Sequence, residues 1–248
     1  MHHNKKIIAL IPARCGSKRF KNKNVHPFHG HPLMAYSIAS AIKSNVFSKI
    51  VVSTDSIHYK KIAEYYGAEV PFLRPKAISG SQASDYDWVK FTLKKLNQKF
   101  DIFVILRPTN PFRNEISIKK SLKKFFLYKM NFSLRGISIT KNHPGKMWVK
   151  KGDFISPVLK GKSKKQPFYN SQYAALPKIY QQNASIEISK TSVIKKFKTI
   201  TTKKIIPYIS KDHEGFDLNY YDDLKLINKS FIKNLVKIPN KSYFKNEN

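Results

Sequence analysis

The 248-residue sequence predicts an α/β fold built on a mostly parallel sheet. Short segments such as residues 6–12 and 101–106 are continuously apolar, which is typical of strands buried on both faces. These segments alternate with stretches whose apolar residues recur at helical spacing. Repeated βα units of this kind place parallel strands side by side. We therefore expect a Rossmann-like sheet with helices on both faces, forming a single domain over residues 1–237.

The first two-thirds of the chain supplies the alternating elements. Strands are predicted at 6–12, 49–54, 69–73 and 101–106, and helices at 32–43, 56–66, 84–98 and 115–128. Pro32 suits the first turn of a helix, and Gly67 suits the position just after one. Asp85 and Asp87 lie in the first turn of the third helix, where negative charge favours the helix dipole. We expect both to be structural.

The regular alternation ends near residue 132. Segments 133–140, 147–151, 154–159 and 185–189 resemble strands separated by Gly, Pro and Lys. We predict a small mixed β excursion here, partly outside the main sheet. A helix over 219–237 and a frayed tail over 238–248 complete the prediction.

Composition excludes several classes of protein. No apolar run approaches the ~20 residues that a membrane-spanning helix needs, and the run at 7–11 is too short for a secretory signal. The single cysteine, Cys15, excludes an intrachain disulfide framework and a cysteine zinc site. These observations predict a soluble protein of the cytoplasm.

The formal net charge is +32, from 47 Lys and Arg against 15 Asp and Glu. Such a charge is typical of proteins that bind nucleic acid, because neutralised phosphates release counterions. Only six of the cations are arginines, the residue that best reads base edges, and the lysines are spread along the whole chain. The pattern therefore favours a solvated basic surface over a nucleic-acid site.

The first strand leads directly into a basic loop, residues 12–24. In a parallel α/β sheet this loop lies at the carboxyl edge, where ligands bind. Five cations within residues 13–23, with the backbone N–H groups of Gly16 and Ser17, suit a bound phosphate. The spacing matches neither the Walker A motif nor the dinucleotide motif. The sequence therefore predicts a phosphate-binding loop, with a basic surface loop as the alternative.

This loop and further motifs in the same order resemble the acylneuraminate cytidylyltransferases, also called CMP-sialic acid synthetases. The loop contributes Ile-Pro-Ala-Arg, Gly-Ser-Lys and Lys-Asn. The other matching segments are 51–55, 68–75, 107–113, 143–148, 171–173, 176–177, 182–185 and 215–217. Together they span about residues 5–230.

The resemblance implies transfer of CMP from CTP to the anomeric hydroxyl of a sialic-acid-like, nine-carbon 2-keto sugar acid, with release of pyrophosphate. It also implies a homodimer in which about residues 135–180 form the dimerisation arm. Three alternatives remain open. They are a related nucleotidyltransferase using another keto sugar acid such as Kdo, a relative that has lost activity, and a basic polyanion-binding protein.

The resemblance assigns the basic loop to the nucleotide. The expected nucleotide-binding residues are Ala13, Arg14, Gly16, Ser17, Lys18, Lys23, Asn24 and Arg74. For Arg74 the alternative is a loop arginine that holds backbone carbonyl oxygens. Arg14 and Lys23 are expected to contact the triphosphate, and with Asp217 they are the expected catalytic residues. Asn24 is expected to read the cytosine. Negative charge builds on the phosphoryl oxygens during the reaction, so the reaction requires cations beside these oxygens.

The resemblance also implies Mg²⁺, a hard cation that suits polyphosphate oxygens. The family carries Asp-x-Asp near its C-terminus, where this chain has Asp217, Leu218 and Asn219. Asp217 and Asn219 are the expected ligands, and Asp217 is also a candidate base toward the sugar hydroxyl. The asparagine weakens a scheme with two metal ions. A helix cap is the alternative for Asp217.

The expected sugar-acid pocket contains Arg107, Lys146, Gln172, Tyr173 and Asn183. Many family members carry Gln at the position of Arg107 and Arg near that of Tyr173. A carboxylate favours a bidentate guanidinium, so we expect Arg107 to bind the carboxylate of the substrate. Core packing is the alternative for Tyr173.

Three further residues have expected roles outside the chemistry. Arg113 is expected to anchor its loop, and His143 to shape the backbone before Pro144. Cys15 is expected to be a small residue tolerated in a tight loop, beside cations that would stabilise its thiolate.

Overall fold

The computed structural model describes residues 5–128, 132–163, 166–211 and 213–246. The chain divides into two units. Unit 1 comprises Met1–Ile137 and Asn183–Asn248, and unit 2 comprises Ser138–Gln182. Unit 2 lies within the segment 133–189 in which the β excursion is predicted.

The main sheet has six strands. They are β1 (Ile7–Pro12), β4 (Lys49–Ser53), β5 (Ile102–Ile105), β6 (Ser133–Ile139), β11 (Tyr180–Lys190) and β12 (Ile205–Ile209), in the spatial order β12-β6-β11-β5-β1-β4. β1 pairs in parallel with β4 and β5, and β12 pairs in parallel with β6. β11 is antiparallel to β5. The mostly parallel sheet is therefore confirmed. A short hairpin of β2 (Pro27–Phe28) and β3 (His31–Pro32) follows the basic loop.

Helices cover both faces of this sheet, as predicted. They are α1 (Leu33–Ser44), α2 (Ile57–Tyr65), α3 (Asp85–Lys95), α4 (Glu115–Phe126), α5 (Ser192–Phe197) and α6 (Lys229–Ile232). Alternate residues of β1 point to opposite sides. Ala9 packs in a core with residues of α1, α2 and α4, whereas Leu10 packs with residues of α3 and α5. No helix in the described ranges is long and apolar enough to cross a membrane.

Two predicted elements differ in the structure. The strand expected at 69–73 is only a bridge between Val51 and Glu69, because Pro71 has no N–H to continue a ladder. The helix expected over 219–237 is divided into a 3-10 helix (Tyr221–Leu226) and α6. The side chain of Asn228 accepts from the N–H groups of Ser230 and Phe231, so it caps a new helix rather than continuing the first.

The predicted frayed tail is attached to α2 over much of its length. The Asn240 amide donates to the carbonyl oxygen of Tyr65 at 3.0 Å. The N–H of Tyr243 donates to the hydroxyl of Tyr66 at 3.1 Å. These contacts order the segment as far as the 3-10 helix at Tyr243–Asn246.

Unit 2 is built from two antiparallel pairs of short strands. β7 (Trp148–Lys151) and β8 (Phe154–Pro157), which lie in two of the predicted strand segments, pair with each other, and β9 (Gly161–Ser163) pairs with β10 (Gln166–Pro167). Gly152 has φ +60° in the turn between β7 and β8, a conformation that glycine adopts without strain. Apolar side chains on this hairpin are exposed, and Phe154 is 81% exposed.

Candidate active site

The basic loop continues the pairing of β1 beyond the sheet. The N–H of Ala13 donates to the carbonyl oxygen of Ser53 at 2.9 Å, at the end of β4. The N–H of Cys15 donates to Oδ1 of Asp55 at 2.9 Å. Asp55 therefore holds the loop at the carboxyl edge of the sheet. Asp55 lies in a motif segment for which no role is predicted, although an acidic residue directly after a parallel strand is a recognisable signal.

Contacts within the loop hold its first turn. Nη1 of Arg14 donates to the carbonyl oxygen of Gly16 at 2.8 Å, and Nδ2 of Asn24 donates to the carbonyl oxygen of Arg14 at 3.0 Å. The N–H of Ser17 donates to the carbonyl oxygen of Cys15 at 2.8 Å, so this amide is engaged within the loop rather than turned toward a ligand. Lys18 is exposed. That Gly16, Lys18 and Asn24 contact a nucleotide stays a prediction.

Lys23 is buried, and its amine donates to the carbonyl oxygen of Leu218 at 2.8 Å. Burial lowers the pKa of Lys23 to about 8. Nearby Asp217 opposes this shift, whereas the charges of Arg19 and Arg14 add to it. Lys23 therefore interacts electrostatically with the other two expected catalytic residues, Arg14 and Asp217. That the three residues act together in catalysis stays a prediction.

The segment that carries Asp217 is fixed against the loop after β5. The N–H of Leu218 donates to the carbonyl oxygen of Thr109 at 2.8 Å, and the Asn110 amide donates to the carbonyl oxygen of Phe216 at 3.0 Å. One carboxylate oxygen of Asp217, Oδ2, accepts from the Asn219 amide at 2.8 Å. The other, Oδ1, is buried and has no hydrogen-bond partner among the described residues.

An unpaired buried carboxylate oxygen is the donor that a hard cation such as Mg²⁺ prefers, so Asp217 fits a metal ligand. Within the ranges that the structure describes, no three His, Cys, Asp or Glu side chains lie close enough to hold a metal ion together.

Asn219 does not fit the expected second ligand. Its side-chain oxygen accepts from Nη2 of Arg19 at 3.2 Å, and its nitrogen donates to Asp217. Both polar atoms of the amide are therefore engaged. Arg19, which the sequence analysis counted only as one of the loop cations, also lies over the ring of Tyr220, with 5.3 Å between its guanidinium carbon and the ring centroid.

Arg74 is buried beside the basic loop and uses its guanidinium within the protein. Nε donates to Oγ of Ser53 at 3.1 Å, and Nη2 donates to the carbonyl oxygen of Ser53 at 2.8 Å. Its guanidinium lies 5.1 Å from the centroid of Trp88. Burial lowers the pKa of Arg74 to about 10, and Asp55 and Asp85 oppose this shift. Its contact with a nucleotide stays a prediction.

Arg107 belongs to a network of four charged side chains. Its Nη2 lies 2.5 Å from Oδ2 of Asp85 and 2.8 Å from Oε1 of Glu187, whose other oxygen lies 3.2 Å from Nη1 of Arg135. Burial alone would lower the pKa of Arg107, but the two carboxylates raise it above its usual value. The structure thus gives the Arg107 guanidinium two internal partners, the carboxylates of Asp85 and Glu187. Its contact with substrate stays a prediction.

The other residues expected in the sugar-acid pocket are placed as follows. In unit 2, the Lys146 amine donates to the carbonyl oxygens of Tyr169 at 2.8 Å and Ser171 at 2.6 Å. Tyr173 is 55% exposed, which argues against the core-packing alternative, and Gln172 is exposed beside it.

In unit 1, Asn183 is buried. Its amide donates to Oγ of Ser210 at 3.0 Å and accepts from the N–H of Ser185 at 3.2 Å. The side chain of Asn183 is therefore used inside the sheet rather than turned toward a pocket.

Two of the structural expectations are confirmed. Arg113 is fully buried and donates to the carbonyl oxygens of Arg107 and Ser185, so it anchors its loop. His143 accepts from the N–H of Gly145 through Nδ1, and its Nε2 lies 3.0 Å from the carbonyl oxygen of Pro177. It therefore shapes the backbone of unit 2.

The expectation of a stabilised Cys15 thiolate is wrong. Burial raises the pKa of the thiol, and the neighbouring Asp55 charge raises it further. The Cys15 thiol donates to Oδ2 of Asp55 across 3.4 Å. Asp55 folds against the loop, and its charge raises the pKa of Cys15 more than the charge of Arg14 lowers it. The local sequence does not show this contact.

Asp85 and Asp87 have the structural roles expected of them. Asp85 accepts from the Trp88 indole at 2.8 Å and pairs with Arg107. Asp87 accepts from the hydroxyl of Ser84, the residue that caps α3.

A family model described as cytidylyltransferase matches residues 8–238. A relative named N-acylneuraminate cytidylyltransferase, from Escherichia coli, is 42% identical over 120 residues, which are 48% of this chain and 28% of that protein. A pseudaminic acid cytidylyltransferase from Campylobacter jejuni is 38% identical over 130 residues, 51% of this chain and 56% of that protein. The matches thus span from about a quarter to just over half the length of these relatives.

Solved structures show the same fold. A CMP:2-keto-3-deoxy-manno-octonic acid synthetase, solved in complex with CTP, superposes with a TM-score of 0.66. The comparison covers 93% of this chain and all of that one, at 13% sequence identity. At this identity the likeness concerns the fold alone.

Proposed function

This chain belongs to the cytidylyltransferase family, and on that premise we propose that it transfers CMP from CTP to the anomeric hydroxyl of a sialic-acid-like, nine-carbon 2-keto sugar acid. In this reaction the hydroxyl oxygen forms a bond to the α-phosphorus. The bond from that phosphorus to the bridging oxygen breaks, and pyrophosphate leaves. The hydroxyl proton passes to Asp217, the carboxylate at the site.

One observation carries this proposal: the buried amine of Lys23 donates to the carbonyl oxygen of Leu218, the residue after Asp217. The charges of Asp217, Arg19 and Arg14 all act on this amine. A triphosphate needs positive charge where negative charge develops, and preorganised cations supply it. Lys23 bears a positive charge in a site where burial disfavours one. A bound triphosphate would add negative charge to that of Asp217 and Asp223, which already favour the charged amine.

The proposal includes Mg²⁺, with Oδ1 of Asp217 as its protein ligand. The support is the unpaired, buried state of this oxygen next to a cationic loop. When bound, Mg²⁺ would add positive charge at the phosphates. The chain's own residues orient the carboxylate, since the Asn219 amide holds Oδ2 and leaves Oδ1 free.

The test is release of pyrophosphate from CTP in the presence of Mg²⁺ and a panel of acids: sialic, legionaminic, pseudaminic and Kdo. We expect release with one of the nine-carbon acids, and no release when UTP replaces CTP. Asp217→Asn should abolish it, whereas Lys21→Gln, an exposed cation of the same loop, should keep it. Release with no acid, together with salt-dependent binding of RNA, would overturn the proposal in favour of a polyanion-binding protein. CTP is a cytoplasmic nucleotide, so the proposal also places the reaction in the cytoplasm.

We further propose that the chain forms a homodimer through unit 2. The support is the exposure of Trp148, Val149, Phe154 and Ile155 on the β7–β8 hairpin, where apolar side chains are costly to leave in water. Sedimentation at micromolar concentration should give a dimer. The double variant Phe154→Ser/Ile155→Ser should give a monomer, whereas Lys150→Ser on the same hairpin should not. A monomeric wild-type protein would exclude the dimer.

A further inference from the structure

Arg19, Asn219 and Asp217 are joined by two hydrogen bonds that pass through the side-chain amide of Asn219. Nη2 of Arg19 donates to Oδ1 of Asn219 at 3.2 Å, and Nδ2 of Asn219 donates to Oδ2 of Asp217 at 2.8 Å. A guanidinium has only donors and a carboxylate only acceptors, so this is the orientation of the amide that satisfies both neighbours. The amide oxygen is thereby turned toward Arg19 and away from Asp217.

The surroundings fix this arrangement from both sides. The guanidinium of Arg19 lies over the Tyr220 ring, 5.3 Å from its centroid. The next residue, Phe20, is buried, and its ring contacts that of Tyr221 at 5.5 Å between centroids. Asp223 accepts from the N–H groups of Asn219 at 2.6 Å and Tyr220 at 2.8 Å. Contacts within and between residues 19–20 and 219–223 therefore hold Arg19 and Asn219 in place.

The charge of Arg19 also acts on the buried amine of Lys23. It lowers the pKa of Lys23 more than Arg14 does. The cation of Arg19 therefore acts on the Lys23 amine through its charge and is linked to Asp217 through the Asn219 amide. A divalent ion with residue 219 as a ligand would need the amide oxygen that Arg19 occupies.

We propose that Arg19 supplies the positive charge that a second divalent ion would supply if residue 219 were an aspartate, so that the site uses one divalent ion per chain. This inference rests on the proposed function and deepens it. An asparagine oxygen is neutral and attracts a metal ion less than a carboxylate does. The same oxygen is a good acceptor for a guanidinium, which is already charged and needs no carboxylate to hold it. Arg19 is then a phosphate-binding residue, and Asn219 positions both Arg19 and Asp217.

The test counts the metal ions that the protein retains with its nucleotide. The protein is saturated with Mn²⁺ and CTP in the absence of a sugar acid, and ultrafiltration then measures the Mn²⁺ and CTP that stay with it. We expect one Mn²⁺ for each CTP retained by the wild-type protein. The double variant Arg19→Gln/Asn219→Asp should retain close to two, because it removes the cation and supplies the second carboxylate.

A second measurement examines Arg19 without metal. Arg19→Gln, which can still donate to Asn219, should weaken CTP binding in EDTA about tenfold or more, whereas Lys21→Gln should change it less than threefold. Circular dichroism and thermal unfolding of each variant verify the fold. Two Mn²⁺ for each CTP on the wild-type protein, or an equal effect of the two loop variants, would overturn this inference and leave the proposed function standing. A wild-type protein that retains no CTP would overturn both.

Discussion

The amine of Lys23 lies 2.8 Å from the main-chain oxygen of Leu218, a residue 195 positions further along the chain. This hydrogen bond joins the basic loop after the first strand to the segment that carries Asp217. Lys23 therefore has two effects on the molecule. It closes the site between two distant segments, and it places a positive charge where burial makes that charge costly.

Replacing Lys23 with Met should increase stability and abolish CTP binding. Folding lowers the pKa of Lys23 from its usual 10.5 to about 8, so the folded state disfavours the charged amine. Removing this charge should give a net increase of about 1–3 kcal/mol in the free energy of unfolding at pH 7. This net value already subtracts about 1 kcal/mol for the lost hydrogen bond to Leu218. Urea unfolding and calorimetric titration with CTP measure the two effects.

The stability difference should also depend on pH in one direction. The folded state releases the Lys23 proton near pH 8 and the unfolded state only near pH 10.5, so wild type gains stability between these values. The advantage of Lys23→Met should therefore be full below pH 8 and shrink toward pH 10.5. Lys21→Met, at an exposed position, should show no such trend. A difference that stays constant across this range would contradict the assignment.

Replacing Arg107 with Gln should destabilise the protein strongly. The variant leaves the carboxylates of Asp85 and Glu187 partly buried without the guanidinium between them. Breaking such a network costs about 3 kcal/mol, whereas an exposed pair contributes ~0–1 kcal/mol. Urea unfolding should show this loss, and Lys5→Gln, which breaks the exposed pair with Asp101, should show almost none.

The same Arg107 variant separates stability from substrate binding. Asp85→Asn combined with Arg107→Gln should recover part of the lost stability, because one uncompensated charge is removed. If Arg107 also binds the sugar acid, the KM for that acid should stay raised in the double variant while the KM for CTP stays normal. If the double variant recovers both its stability and its KM for the sugar acid, Arg107 acts only in the ion-pair network and does not bind the sugar acid.

Replacing Asp55 with Asn should make Cys15 more reactive. Burial and the charge of Asp55 raise the pKa of the thiol, which lowers the fraction of reactive thiolate. The asparagine keeps an oxygen for the Cys15 N–H and removes the charge. Alkylation by iodoacetamide at pH 8, followed by mass spectrometry, should become several-fold faster. Asp87→Asn serves as the control, and an equal acceleration there would show a general loosening instead.

Replacing Asn114 with Ala should lower stability without affecting the site. The Asn114 side chain accepts from the N–H groups of Ile116 and Ser117 at the start of α4. Loss of such a cap costs about 1 kcal/mol. Thermal unfolding should detect this loss, Asn114→Asp should restore most of it, and CTP affinity should be the same in all three proteins. A change in CTP affinity would show that α4 influences the loop.

Much of the fold could be predicted because it depends on local patterns. The apolar run of β1 and the helical spacing in α1 repeat over neighbouring residues, and burial of these patterns is what builds the sheet and its layers. The prediction was less successful after residue 219, where the side chain of Asn228 begins a new helix. A periodic apolar pattern does not reveal such an interruption.

The sequence by itself determined the parallel sheet, the basic loop at its carboxyl edge and the relationship to the cytidylyltransferases. Only the tertiary structure decided what each site residue touches. It gave Arg107 to Asp85 and Glu187, turned Cys15 toward Asp55, and tied Asn219 to Arg19. The physical reason is that charges and hydrogen bonds act over a few ångströms between segments far apart in the chain. Their partners are therefore set by packing and not by neighbours in sequence.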